Sequence, residues 1–222
     1  MKKTVLAACV LFAAVFFCGC PLKVTINCEK DDSFSVNFSS ELGQAFVESL
    51  AQIQQISSEK GQNSQNLNEI SKKIQNDLNA NFFTAAQVHI GQNALTASAK
   101  ALDAKKFPKE FVSVQKAANK KKTLTLTLSP DSLAASILKE NSTAKTMADI
   151  LMAPIISGEE MSLSEYKDLL VEIYGNRLAS EILAGDLVID FVDKASGKKQ
   201  TKKIPVADLL VSAEPRSFVF EY

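Results

Sequence analysis

The sequence predicts an α+β domain in which an antiparallel sheet is covered by amphipathic helices. Three observations favour this class: short segments that alternate apolar and polar residues, helical segments with an apolar stripe on one face, and several hairpin turns. Strands and helices come in groups, without the regular strand–helix alternation of a parallel sheet. We find no internal repeat, so residues 23–222 are expected to form a single domain.

The strands are predicted from period-2 segments. In residues 123–128 the leucines are expected to face a core and the threonines to face outward. The last strand places Phe218, Phe220 and Tyr222 on one face in the same way, and a hairpin turn is expected at residues 195–197. Strands are expected over residues 23–27, 33–38, 95–102, 111–115, 123–128, 187–192, 200–204 and 217–222.

The helices are predicted from apolar spacing and from the residues that cap them. Ser162 and Glu165 form a capping box at the start of the strongest helix, which Gly175 is expected to break. Its buried stripe is predicted to comprise Tyr166, Leu169, Leu170 and Ile173, followed by Leu178, Ile182 and Leu183. Ser39 or Ser40 is expected to cap the first helix. Helices are expected around residues 42–53, 67–78, 131–138, 143–152 and 162–184, with a mobile polar loop at residues 57–66.

Residues 1–19 have the pattern of a secretion signal. Lys2 and Lys3 provide a short positive region, and residues 4–17 form an uncharged apolar run. The run is too short to cross a bilayer as a helix, which needs about 20 apolar residues. We therefore expect this segment to be cleaved from the mature protein.

The end of that segment, Phe17-Cys18-Gly19-Cys20, resembles a bacterial lipobox. The resemblance implies that a diacylglyceryl group is attached to Cys20 through a thioether, that the chain is cleaved before Cys20, and that the new amine is usually acylated, for example with palmitate. A cysteine is required because a thiolate is the nucleophile that takes the lipid, and two or more acyl chains give stable anchoring. Phe17 replaces the usual Leu and Cys18 occupies a position where Ala or Ser is commoner, a relaxed pattern similar to that of spirochaete lipoproteins. The alternatives are an uncleaved N-terminal anchor and ordinary secretion with cleavage nearby.

A second segment, residues 151–210, is also similar to uncharacterised spirochaete lipoproteins. Its recognisable parts are residues 151–162 (LMAPIISGEEMS), Glu165-Tyr166 and Ile173-Tyr174-Gly175. This resemblance implies no activity and no functional residues.

The tether between the lipidated cysteine and the domain is predicted to be short. Only Pro21 and Leu22 separate Cys20 from the first strand, so the domain is expected to lie close to the membrane. Pro21 replaces the Asp that is associated with inner-membrane retention in enterobacteria. We keep two locations for the anchored protein: the outer membrane and the periplasmic face of the inner membrane.

Cleavage and lipidation leave one cysteine of the four without an assigned role. Cys9 and Cys18 leave with the signal and Cys20 carries the lipid, so an intramolecular disulfide framework is excluded. We interpret Cys28 as a buried, inert thiol in an early strand, with a bridge between two chains as the alternative.

Charge argues against nucleic acid as a partner. Loss of Lys2 and Lys3 leaves 23 basic and 25 acidic residues, a net charge of about −2, whereas nucleic-acid binders show a basic excess. The sequence has two lysine-rich turns. The first contains Lys116, Lys120, Lys121 and Lys122, and the second contains Lys198, Lys199, Lys202 and Lys203. If they lie at the same end as Cys20 they can contact anionic lipid; otherwise they are solvated turns that protect sheet edges.

No catalytic residues, cofactor or metal ligands are predicted, so the protein is not expected to be an enzyme. His89 is the single histidine, without a flanking motif, and is interpreted as a surface or satisfied imidazole. The pairs Asp31-Asp32 and Glu159-Glu160 lack the spacing of a calcium loop.

The sequence thus predicts a membrane-anchored lipoprotein of the cell envelope with a structural or interaction role and a possible protein partner. The alternative is a binding module for an apolar or lipid-like ligand. Its support is four phenylalanines in segments of irregular pattern that could line a cavity: Phe82, Phe83, Phe107 and Phe111.

Overall fold

The computed structural model describes residues 21–31, 33–41, 43–45, 47–48, 71–72, 75–76, 79, 83–91, 94–101, 112–116, 121–128, 161–212 and 214–222. They form a single α+β domain that is mostly sheet. In chain order its elements are β1 (Leu22–Cys28), β2 (Phe34–Glu41), β3 (Thr84–Ile90), β4 (Ala94–Ala101), β5 (Val112–Lys116), β6 (Lys122–Leu128), α1 (Leu163–Ala184), β7 (Asp186–Asp193), β8 (Lys199–Pro205), α2 (Val206–Leu210) and β9 (Arg216–Glu221). Helical backbone is also present at residues 44–45, 47–48, 71–72, 75–76 and 79.

Several sequence-based predictions fall outside the described residues. They concern the signal segment with Cys20, the loop at residues 57–66, the helices over residues 131–138 and 143–152, and the pair Glu159-Glu160. The helices expected around residues 42–53 and 67–78 are confirmed only at the helical residues named above.

The larger sheet has six strands in the order β3-β4-β2-β1-β7-β8. Four of its five pairs are antiparallel, but β1 runs parallel to β7, with Leu22 opposite Leu187 and Cys28 opposite Asp193. The prediction of a purely antiparallel sheet was therefore wrong for this pair. The sequence contains no turn signal for a parallel pair, because its two strands are joined by a long connection instead of a hairpin.

A second, antiparallel sheet has the order β5-β6-β9 and packs its apolar face toward the first. Phe191 of β7 stacks on Phe220 of β9 with ring centroids 5.3 Å apart. Tyr222 lies 5.3 Å from Phe191 and 6.2 Å from Phe34. The core thus lies between two sheets and the helices, instead of under a single sheet.

Helix α1 follows its prediction closely. Ser162 caps it: its hydroxyl accepts from the Glu165 N–H, and its own N–H donates to the Glu165 carboxylate. Hydrogen bonds from the Ser162 side chain and backbone to this carboxylate hold the pKa of Glu165 below its usual value. Gly175 interrupts the helix with φ 76° and ψ 163°. Tyr166 and Leu170 are buried as expected, but Ile173 is 43% exposed, because the kink follows two residues later.

One local prediction was wrong and two elements were not predicted, each for an identifiable reason. Ser39 and Ser40 do not cap a helix, because β2 continues through them to Glu41. Strand β3 was missed because a bulge near Ala85 (φ 53°) disturbs its alternation. Helix α2 was missed because five residues are too few to show a period.

Candidate functional site

The described chain enters the sheet directly after the predicted lipidation position. Cys20 itself lies outside the described residues, and β1 starts at Leu22, whose side chain is fully buried. Leu22 pairs with Ser40 on one side and Leu187 on the other, so β1 is an interior strand. We call the end of the sheet at Leu22 the anchor end and the end at Cys28 the distal end.

A charged network ties β1 to its neighbours on the outer face of the sheet. Asp190 of β7 accepts a hydrogen bond of 2.6 Å from the Thr201 hydroxyl. Its carboxylate also lies 3.0 Å from Lys199 Nζ and 3.4 Å from Lys23 Nζ. Burial alone would raise the pKa of Asp190, but the hydrogen bond and the two ammonium groups outweigh burial and hold that pKa below its ordinary value.

The network joins three strands, and its member in β1 is the residue that follows the buried Leu22. Lys23 belongs to β1, Asp190 to β7, and Lys199 and Thr201 to β8. No local pattern predicts the whole network, although the carboxylate within the apolar run of β7 is a detectable signal, because a buried acid requires partners.

Cys28 lies at the distal end of β1 with 2% of its surface exposed. Its thiol is 3.7 Å from the Glu29 carbonyl oxygen. A buried thiol agrees with the interpretation as an inert core residue, since a bridge to another chain requires an accessible sulfur.

His89 is exposed on β3, opposite Thr96 of β4, and faces away from the core. It borders an open groove of about 600 Å³. Its lining mixes amide and hydroxyl side chains with apolar ones and comprises Asn37, Phe38, Gln75, Gln87, Val88, His89, Thr96, Ala97 and Ser98. The alternative of an apolar or lipid-like ligand requires an apolar cavity, which this open, mixed groove is not. Of the four phenylalanines behind that alternative, only Phe83 is described, and it packs against the core.

The free edge of β3 is covered by side-chain amides from the helical residues beside it. Asn79 Oδ1 accepts from the Ala86 N–H at 2.8 Å, and Asn79 Nδ2 donates to the Ala86 carbonyl at 3.5 Å. Gln75 Oε1 accepts from the Val88 N–H at 3.3 Å. These bonds satisfy backbone groups that would otherwise offer an edge for strand addition.

The two lysine-rich turns lie mainly at the distal end, away from the anchor. The hairpin between β7 and β8 follows Asp193, which pairs with Cys28, and the Lys194 N–H donates to the Cys28 carbonyl at 3.0 Å. Lys122 exchanges two backbone hydrogen bonds of 2.9 Å with Tyr222, whose ring contacts Phe34. Of the described lysines of these two turns, only Lys202 and Lys203 lie in the half of β8 nearer to Leu22.

The turn between β7 and β8 is held by its own hydrogen bonds. The Asp193 carboxylate accepts from the Ala195 N–H at 2.9 Å and from the Ser196 hydroxyl, and the Gly197 N–H donates to the Asp193 carbonyl at 2.8 Å. The bond from Ser196, together with that from Ala195 and the charge of Lys122, holds the pKa of Asp193 below its usual range. Gly197 adopts φ 74°, which suits a residue without a Cβ.

The described residues contain no group of three or more His, Cys, Asp or Glu side chains placed to hold a metal. Burial raises the pKa of Tyr174 to about 12. No helix among the residues described above is long and apolar enough to cross a membrane.

Comparison with known proteins adds no relative: no family model, no curated protein and no solved structure matches the chain.

Proposed function

We propose that the protein is a membrane-anchored lipoprotein of the cell envelope, attached through Cys20, with a non-enzymatic structural or interaction role. The lipobox-like segment Phe17-Cys18-Gly19-Cys20 carries the proposed attachment. The buried Leu22 of β1, two residues after Cys20, carries the proposed short tether. A tether of this length holds the anchor end within about 10 Å of the lipidated sulfur, at about 3.3 Å per residue. The rest of the surface is then presented to the envelope in a restricted orientation.

The network around Asp190 supports the same proposal. A lipid anchor transmits force to the first residues of the domain, and Lys23 is there joined to β7 through Asp190. Together with backbone pairing on both sides of β1, this contact resists peeling of the strand from the sheet.

The anchor is tested by expressing wild type, Cys20→Ala and Cys28→Ala in the native host. The proteins are then extracted from membranes, and their masses are measured by mass spectrometry. We expect wild type and Cys28→Ala to yield a processed, lipid-bearing form, and Cys20→Ala to yield none. A Cys20→Ala protein that is processed and retained at the membrane like wild type contradicts the proposal.

The interaction role is tested by lysine-directed crosslinking in intact cells. We expect a reproducible adduct in wild type and Cys28→Ala, and its loss in Cys20→Ala, because only the anchored domain meets its partner in a fixed orientation. An adduct that is equally abundant without the anchor contradicts the proposed orientation.

A further inference from the structure

Several described lysines lie at the distal end of the molecule. We give the name lysine end to the five that flank two of its hairpin turns: Lys116, Lys121, Lys122, Lys194 and Lys198. Exposed Lys30 lies at the same end, in the turn between β1 and β2. The five lysines of the lysine end come from two separate parts of the fold. The first three flank the hairpin of β5 and β6, and the other two lie in the turn between β7 and β8. These two hairpins lie next to each other because Tyr222, which is hydrogen-bonded to Lys122 through the backbone, packs its ring on Phe191 of β7.

The cluster places like charges together. Lys116 and Lys122 stand directly opposite each other in the register of β5 and β6. Like charges in this position destabilise a sheet. The Lys122 ammonium lies 5.9 Å from the centroid of the Tyr222 ring, a contact that offsets part of that cost. An arrangement that lowers stability is expected where the charges serve binding.

The backbone that carries part of the lysine end is held by hydrogen bonds. Lys194 and Lys198 flank the turn that Asp193 holds, and the Lys198 carbonyl accepts a hydrogen bond of 2.9 Å from the Asp193 N–H. Lys116, Lys194 and Lys198 are exposed and form no ion pair with any described residue. The carboxylates of Glu29, Asp31 and Asp193 lie at the same end, and each accepts hydrogen bonds from neighbouring residues: Glu29 from Ser35, Asp31 from Ser33, and Asp193 from Ala195 and Ser196.

We propose that the lysine end binds a linear anionic polymer of the cell envelope that carries closely spaced phosphate or carboxylate groups; this rests on the envelope location proposed above, which also excludes nucleic acid. The cluster consists of lysines, which act as point charges and read charge density more than bidentate geometry. None of the exposed large apolar side chains of the described chain, namely Leu163, Ile173 and Val219, belongs to it, whereas a protein interface normally has an apolar centre. The site lies at the end opposite the anchor, so the anchoring membrane does not fit as its ligand.

The test uses the mature protein purified in non-ionic detergent and two probes, long-chain polyphosphate and polygalacturonate, with neutral dextran as a blank. The variant K116S/K194S/K198S removes three charges from the lysine end. Its matched control, K72S/K167S/K202S, removes three charges from exposed lysines elsewhere that, like those three, form no ion pair with any described residue. The conservative variant K116R/K194R/K198R keeps the charge and reports whether loss of binding reflects charge or misfolding.

We expect wild type to bind either polyanion in a salt-dependent manner, and the lysine-end variant to bind about tenfold to a hundredfold more weakly. The control and the arginine variant should stay within about twofold of wild type. Equal weakening in both serine variants, or no binding by wild type, would overturn the proposal. Binding to vesicles of anionic phospholipid that is as tight as to the polymers, and lost in the same variant, would overturn the assignment to a polymer.

Discussion

At the scale of single residues, Asp190 is a buried carboxylate with partners from two other strands. Its side chain is 5% exposed and lies within bonding distance of Lys23, Lys199 and Thr201. A buried carboxylate is stabilising only while its partners are in place, because an uncompensated buried charge is costly. The carboxylate therefore couples the protonation of one residue to the pairing of three strands.

We expect Asp190→Asn to lower the free energy of unfolding by about 2 kcal/mol at pH 7, since charge-assisted hydrogen bonds are replaced by weaker ones. The pKa of Asp190 is lowered in the folded state. Its stabilisation is therefore complete above the unfolded pKa, near 3.9, and is lost as the pH falls through the folded pKa. Urea unfolding at a series of pH values should show the wild-type advantage narrowing below about pH 4.

The matched control is Asp168→Asn on the exposed side of α1, which should change stability little at any pH. A difference between wild type and Asp190→Asn that stays constant into strongly acidic solution would show that the carboxylate charge is not what stabilises the network.

Gly175 provides a second residue-scale prediction. Its φ of 76° with ψ of 163° is a region that residues with a Cβ avoid, although an added Cβ would meet nothing within 4 Å. Gly175→Ala should therefore cost about 1–3 kcal/mol of unfolding free energy through backbone strain alone. Gly91→Ala, whose Cβ would lie 3.5 Å from the Ala94 oxygen, makes only an ordinary contact and is the control. Equal urea midpoints for the two variants would contradict this explanation.

At the scale of elements, the edge of β3 depends on side chains from a neighbouring helical segment. Asn79 both accepts from and donates to the backbone of Ala86, which is 3% exposed. An amide side chain used in this way replaces a missing strand on an edge that carries a bulge. The bulge and the amides together blunt an edge that would otherwise add strands.

We expect Asn79→Ala to lower the free energy of unfolding by about 2 kcal/mol, because the buried Ala86 N–H loses its acceptor. It should also increase self-association, measured by light scattering during mild heating. Asn76→Ala, at an exposed helical position of the same segment, is the control and should do neither. Unchanged stability in Asn79→Ala would mean that water satisfies the edge as well as the side chain does.

The elements also show what the sequence can and cannot predict. Strands such as β1 and β6 were predicted within one residue at each end, and α1 was predicted with its cap and break, because alternation and capping are local signals. The parallel pairing of β1 with β7 depends on residues more than 150 positions apart, and no local signal encodes it. The Asp190 network was not predicted for the same reason, since its members come from three strands.

At the scale of the whole molecule, the sheet has two unlike ends. The anchor end begins at Leu22, and the distal end holds Cys28 and the lysine end. The seven residues of β1 separate them by about 20 Å, at about 3.3 Å per residue. If the tether is as short as the sequence predicts, one end faces the membrane and the other faces away.

This orientation predicts unequal distances to the bilayer. A donor dye on Lys203→Cys, opposite Val188 in the anchor half, should transfer energy to labelled lipid headgroups more efficiently than a dye on Ala195→Cys in the distal turn. Cys28 does not compete for the label because it is buried. Equal transfer from the two positions would show that the domain lies flat on the membrane.

The attachment itself is tested most directly by the mass of the N-terminal peptide. Trypsin cleaves after Lys23, so denatured protein extracted from membranes should release Cys20-Pro21-Leu22-Lys23. The lipid-anchor proposal predicts that this peptide begins at Cys20 and carries a diacylglyceryl group on its sulfur, with or without an acylated amine. A mature N-terminus at any other residue, or an unmodified Cys20, would contradict it.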